Sequence, residues 1–143
     1  MAPTDHSFAT DVDPLQHNVF TVDEEGMQFD HDRLDVYLAA VDMVALARSI
    51  VGAFPPGHAD LADQLKRAST SIVLNIAEGA GEYSRADKAR FYRMAKRSGT
   101  ESAAILDIAQ KLEIISGERF DAGRGLLFRI VSMLIKMIRG LDI

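Results

Sequence analysis

The chain has 143 residues, a formal charge of −5 and no cysteine. This length holds one domain with its own core, and the lack of thiols excludes disulfides, thiolate metal sites and cysteine nucleophiles. No run approaches the ~18 apolar residues of a membrane span, and Met1-Ala2-Pro3-Thr4-Asp5 lacks the basic and apolar regions of a signal peptide. A soluble, cytoplasmic protein with no membrane partner is the expectation.

Charge is divided unevenly along the chain. Residues 1–30 carry seven acids and no lysine or arginine, which leaves fourteen acids against sixteen basic residues in the remainder. Residues 1–29 have no sustained period and are punctuated by Pro3, Pro14 and Gly26, so they read as an acidic, flexible tail. Val19-Phe20-Thr21-Val22 is apolar enough to form a short strand or to dock on the body, with disorder the favoured state.

Residues 30–143 read as four helices, at about 31–54, 58–79, 85–115 and 119–141. The first starts near Asp30 or Asp32, either of which can cap it, with Leu34, Leu38, Val41, Ala45 and Ile50 on one face. Pro55-Pro56-Gly57 ends it, because proline removes a donor and restricts the residue before it. In the second, Leu65, Ala68, Ile72 and Ile76 share one arc of about 80°. Beside that arc runs a polar row, Gln64, Ser71, Asn75 and Glu78, whose members need hydrogen-bond partners if buried. Gly79 reads as the residue just past the helix end.

Ser84-Arg85-Ala86-Asp87 resembles a capping box and opens the third helix, where Phe91, Met94, Ala95, Ser98, Ile105, Ala109 and Leu112 share a side. Gly99 lies inside it, weakens it by ~1 kcal/mol relative to alanine, and permits close approach of a neighbour; Ser116-Gly117 closes the helix. In the fourth, Leu127, Ile130, Leu134, Met137 and Leu141 form an a/d seam. Leu126, Val131, Met133, Ile135 and Ile138 widen the apolar arc to about 200°, more than one bundle core buries. Those five are therefore candidates for an oligomer interface. Four long helices joined by short turns predict an all-α, up-down-up-down antiparallel four-helix bundle.

Several short runs occur together in a familiar order. They are Leu34-Asp35-Val36-Tyr37, Phe54-Pro55, Gln64-Leu65-Lys66-Arg67-Ala68, Ser71-Ile72, Asn75-Ile76-Ala77-Glu78-Gly79, Arg90-Phe91, and Ser98 with Glu101. As a set, over about residues 29–141, they resemble the four-helix-bundle family encoded in intervening sequences of bacterial large-subunit ribosomal RNA genes. Arg97 stands where that family commonly has glycine, and Gly99 where it commonly has leucine. The resemblance implies a left-handed bundle assembled as a homopentamer around a central channel. It also implies structural roles for Asn75, Glu78, Gly79, Phe91, Ser98 and Glu101. A related protein, the accessory variability protein of diversity-generating retroelements, is strongly basic and binds nucleic acid and a reverse transcriptase.

The residues support binding more readily than turnover. Gln64, Ser71, Asn75 and Glu78, with Ser98 and Glu101, are expected to form a polar network that sets register between the second and third helices. No histidine lies near them in sequence to serve as general base. The Glu-x-x-His pairs of metal-binding bundles are missing, so no metal, cofactor or enzymatic activity is expected. Lys66, Arg67, Arg85, Lys88, Arg90, Arg93, Lys96 and Arg97 form a basic cluster that repetition around a ring would turn into a band of phosphate contacts. Tyr83 and Tyr92 lie near it as stacking surfaces. The expectation is a non-enzymatic, homo-oligomeric scaffold whose partner is RNA, DNA or a nucleic-acid enzyme such as a reverse transcriptase. The alternative is a protein–protein adaptor ring, and in either case the acidic tail is a candidate electrostatic gate.

Overall fold

The structure, a computed structural model, describes residues 20–23 and 26–141. It contains two short strands, β1 (Phe20–Asp23) and β2 (Gly26–Phe29), and four helices. The helices are α1 (Asp35–Gly52), α2 (Ala59–Gly81), α3 (Arg85–Lys111) and α4 (Gly117–Gly140). α1 packs on α2 and α4, and α3 packs on the same two, so the four helices close a bundle. The seams run antiparallel: Gly79 and Ser71 of α2 meet Tyr92 and Ser98 of α3, and Gly99 and Leu106 of α3 meet Val131 and Gly123 of α4.

Within the stretch expected as the end of the tail, the short-strand alternative is seen: residues 20–23 and 26–29 pair as an antiparallel hairpin, with Phe20 opposite Phe29 and Asp23 opposite Gly26. Residues 1–19 and 24–25 of the expected acidic tail lie outside the described residues. The hairpin also displaces the start of α1. Asp32 does not cap the helix; its Oδ2 accepts the Phe29 N–H at 2.8 Å in a turn. The N–H groups of Asp32 and Leu34 bond back to Phe29 and His31. Helical geometry begins only after that turn, with Leu34 as a cap that has no side-chain bond.

α1 buries a different face from the one its larger apolar residues mark. Val36, Ala39, Ala40, Met43, Ala47 and Ile50 are buried, while Leu38, Val41 and Ala45 are exposed. Small side chains on the inner face let α1 lie close to its neighbours. α2 continues past Gly79 to Gly81, because Gly79 keeps a helical backbone and serves for close packing rather than for termination. α3 opens as its sequence indicates, with Ser84 Oγ accepting the Asp87 N–H at 3.0 Å.

α3 ends at Lys111, a turn before the predicted stop. Glu113 takes φ 59°, its N–H bonds to Gln110 O, and the Ile114 N–H bonds to Ala109 O. This is a Schellman ending, with buried Ile114 as its apolar partner and glutamate where glycine is usual. Ser116 does not close α3. It caps α4, accepting the Arg119 N–H at 3.1 Å.

The core is a single cluster centred on Met43, Ile50, Leu65, Ile72, Ile76, Leu106, Leu127, Ile130 and Leu134. Among the α4 residues nominated for an oligomer interface, Leu126, Met133 and Ile138 are half-buried against this core. Val131 packs at Gly99, where a β-carbon would lie 3.0 Å from Val131 Cγ2. Ile135 is half-buried. No helix among the described residues is long and apolar enough to cross a membrane.

Candidate functional site

The polar row of α2 is only partly drawn into the α2–α3 seam. Ser98 Oγ donates to Ser71 Oγ at 2.9 Å, and Asn75 Nδ2 donates to the same oxygen at 3.0 Å and to the Ser71 carbonyl at 2.9 Å. Gln64, Glu78 and Glu101 are exposed, and their side chains make no hydrogen bond among the described residues. Ser69 and Ser102, both buried, turn their hydroxyls to carbonyls of their own helices. A hydroxyl–hydroxyl–amide chain with no imidazole or carboxylate in it has no base to move a proton. It ties two helices in register.

Gly79, which ends the family-like run, admits a ring. A β-carbon there would lie 2.6 Å from Tyr92 Cε1 and 3.1 Å from Phe91 Cβ. Tyr92 is therefore buried and offers no stacking surface, whereas Tyr83 is 79% exposed. Burial, and after it the charge of Asp30, raises the Tyr92 phenol above its ordinary range.

The eight basic residues divide by what already engages them. Lys88 Nζ donates to the carbonyls of Ala80 and Gly79, at 2.8 and 3.3 Å, and so neutralises the C-terminal end of α2. Lys66 pairs with Asp63 at 3.3 Å. Arg90 lies 3.9 Å from Asp87 and stacks its guanidinium 4.4 Å from the centre of the Phe91 ring. Arg67, Arg85, Arg93, Lys96 and Arg97 are exposed, with no carboxylate within 4.0 Å among the described residues. Arg93, Lys96, Arg97 and Thr100 line a shallow groove of about 320 Å³ on the outer side of α3.

Sequence reading missed the basic residues of α4. From Ala122 to Leu141 the chain carries Arg124, Arg129, Lys136 and Arg139 and not one acid. All four are exposed, and among the described residues only Arg124 is paired, with Asp107 of α3 at 3.5 Å. The run of cations without acids was visible in the sequence but was obscured by the apolar residues interleaved with it. A second groove, over α2, brings Arg48 of α1 beside Lys66, Arg67, Thr70 and Leu74. Among the described residues, no three His, Asp or Glu side chains converge as metal ligands would.

Known proteins give a consistent comparison. A model of the family described as 23S rRNA-intervening sequence protein matches residues 32–136. In structure, the chain is similar to a protein of unknown function from the S23 ribosomal protein family of Bacteroides thetaiotaomicron VPI-5482. The TM-score is 0.68 at 22% identity, over 72% of this chain and 97% of that one. Among curated proteins, none matches.

Proposed function

Because the chain belongs to the 23S rRNA-intervening sequence protein family, we propose that it is a non-enzymatic, homo-oligomeric scaffold whose α3–α4 face holds the backbone of a nucleic acid. The observation that carries this reading is the set of exposed cations Arg93, Lys96 and Arg97 on α3 and Arg129 and Arg139 on α4, none with a carboxylate within 4.0 Å among the described residues. Each phosphate neutralised by such a side chain releases a condensed counterion, so a face of this kind binds polyanions without reading sequence. Assembly would multiply the face around a ring.

Exposed apolar residues on separate parts of the protomer support self-association. Leu38 and Val41 face outward on α1, and Leu74 and Met94 do so on α2 and α3. Two different patches are what a head-to-tail contact requires, and head-to-tail contacts close rings, a pentamer among them.

The test is fluorescence anisotropy with labelled duplex DNA and structured RNA across a salt series, with particle mass from light scattering. Binding should weaken steeply with salt, and Arg93→Glu with Lys96→Glu should lower affinity and flatten the salt dependence. A mass at a multiple of the 15.7 kDa protomer, with no polyanion bound at low salt, would replace this reading with a protein–protein adaptor ring.

A further inference from the structure

We propose that Phe128 is a stacking platform for an unpaired base, so that the α3–α4 face takes single-stranded rather than duplex nucleic acid; this rests on the nucleic-acid reading above. Phe128 leaves 77% of its surface in water, and only Tyr83 exceeds it among the described large apolar residues. The fold does not need it there, since Leu127 and Ile130 on either side supply the buried contacts of that part of α4. A lone exposed aliphatic side chain calls for no explanation. An aromatic ring on a helix whose charged residues from Ala122 to Leu141 are all basic has a defined use.

The surroundings follow from the register of α3 on α4. The rungs that join these helices include Val131 at Gly99 and Arg124 at Asp107. Phe128 lies between them, one turn from Val131 and turned further from the core. Lys96 and Thr100, near the first rung, turn outward from the same seam and belong to the groove with Arg93 and Arg97. On α4 itself Arg129 follows Phe128 in sequence and Arg139 lies farther along on an exposed position with no acid between, while Lys136 lines the groove toward Leu34 and Asp35.

The chemistry of the ligand follows from this pairing of groups. Cations at the groove hold phosphates, and a flat apolar face beside them accepts the face of a base. In a duplex those faces are stacked inside the helix and cannot reach a side chain, so a ring in this position contributes only to a strand whose bases are free.

The experiment uses the full-length protein in its native assembly. Binding of a labelled oligo-dT strand and of a duplex of equal charge would be measured by anisotropy, with inorganic polyphosphate as a competitor that has charge but no bases. Phe128→Ala should weaken the single strand about tenfold, in line with the loss of one stacked base, and leave the duplex and polyphosphate unchanged. Phe128→Trp should retain affinity. Because the chain has no tryptophan, its emission would report stacking directly, by quenching when the strand binds. Unchanged strand affinity in Phe128→Ala, or unmoved emission from a strand-bound Phe128→Trp, would overturn this inference and leave the backbone reading standing. Dissociation of the Phe128→Ala assembly would assign the ring to a contact between copies and overturn it too. Failure of the wild type to bind any of the three polyanions would end both.

Discussion

The ring of Tyr92 lies across Gly79 so closely that the missing β-carbon would fall 2.6 Å from Cε1 and 2.8 Å from Cδ1. α3 approaches α2 here through the absence of a side chain. Gly79→Ala gains helix propensity worth up to ~1 kcal/mol, but overpacking against a buried ring costs about 1–3 kcal/mol. A net loss of stability is expected in urea unfolding. Pairing it with Tyr92→Leu, which withdraws the ring edge, should make the two effects non-additive; strict additivity would show that the clash is relieved elsewhere.

Ser71 accepts from both Ser98 and Asn75. Ser71→Ala leaves the largely buried Ser98 hydroxyl without its acceptor and should cost about 1–2 kcal/mol. The double variant with Ser98→Ala should cost less than the two single changes together, because no polar group is then stranded. Equal costs for the sum and the double variant would remove the cross-helix bond from the account of this seam.

Glu113 occupies the left-handed region at φ 59° in the Schellman turn after α3. A side chain there costs roughly 1–2 kcal/mol that glycine avoids, while glycine adds some unfolded-state entropy. Glu113→Gly should therefore raise stability by about 1 kcal/mol, read as a higher Tm. A lower Tm would mean that the glutamate makes a compensating interaction.

Tyr92 ties stability to alkaline pH. Its phenol, raised by burial and then by Asp30 above the ordinary value of 10.0, binds its proton more tightly in the folded state than in the unfolded chain. That contribution is intact below pH 10.0 and is lost as pH rises through the folded value. Tyr92→Phe keeps the ring against Gly79 and should flatten the alkaline fall in stability. An unchanged profile would assign that fall to other groups.

How far the sequence could be read varied by element. In α2, one apolar arc is bordered by polar residues, so Leu65, Ile72 and Ile76 were legible as core and Ser71 and Asn75 as seam. α1 is apolar on two faces, and periodicity alone cannot choose between them. Packing chose Ala39, Ala40, Met43 and Ala47, which allow close approach, and left Leu38 and Val41 outside. In α4 the broad apolar arc drew attention to Leu126, Met133 and Ile138, which the protomer itself half-covers. Phe128 and the cations beside it passed unnoticed.

The local chemistry of the chain determined four helices, the cap at Ser84 and the stop at Pro55-Pro56-Gly57, because caps and proline act through bonds a few residues away. Tertiary structure decided what each helix does with its surplus. It made Gly79 a packing site instead of a terminus, directed Lys88 to the carbonyls of α2, buried Tyr92, and set Gly99 of α3 against Val131 of α4. Those outcomes depend on which neighbour arrives and at what register. Residues of different helices meet only when the helices are closed into a bundle.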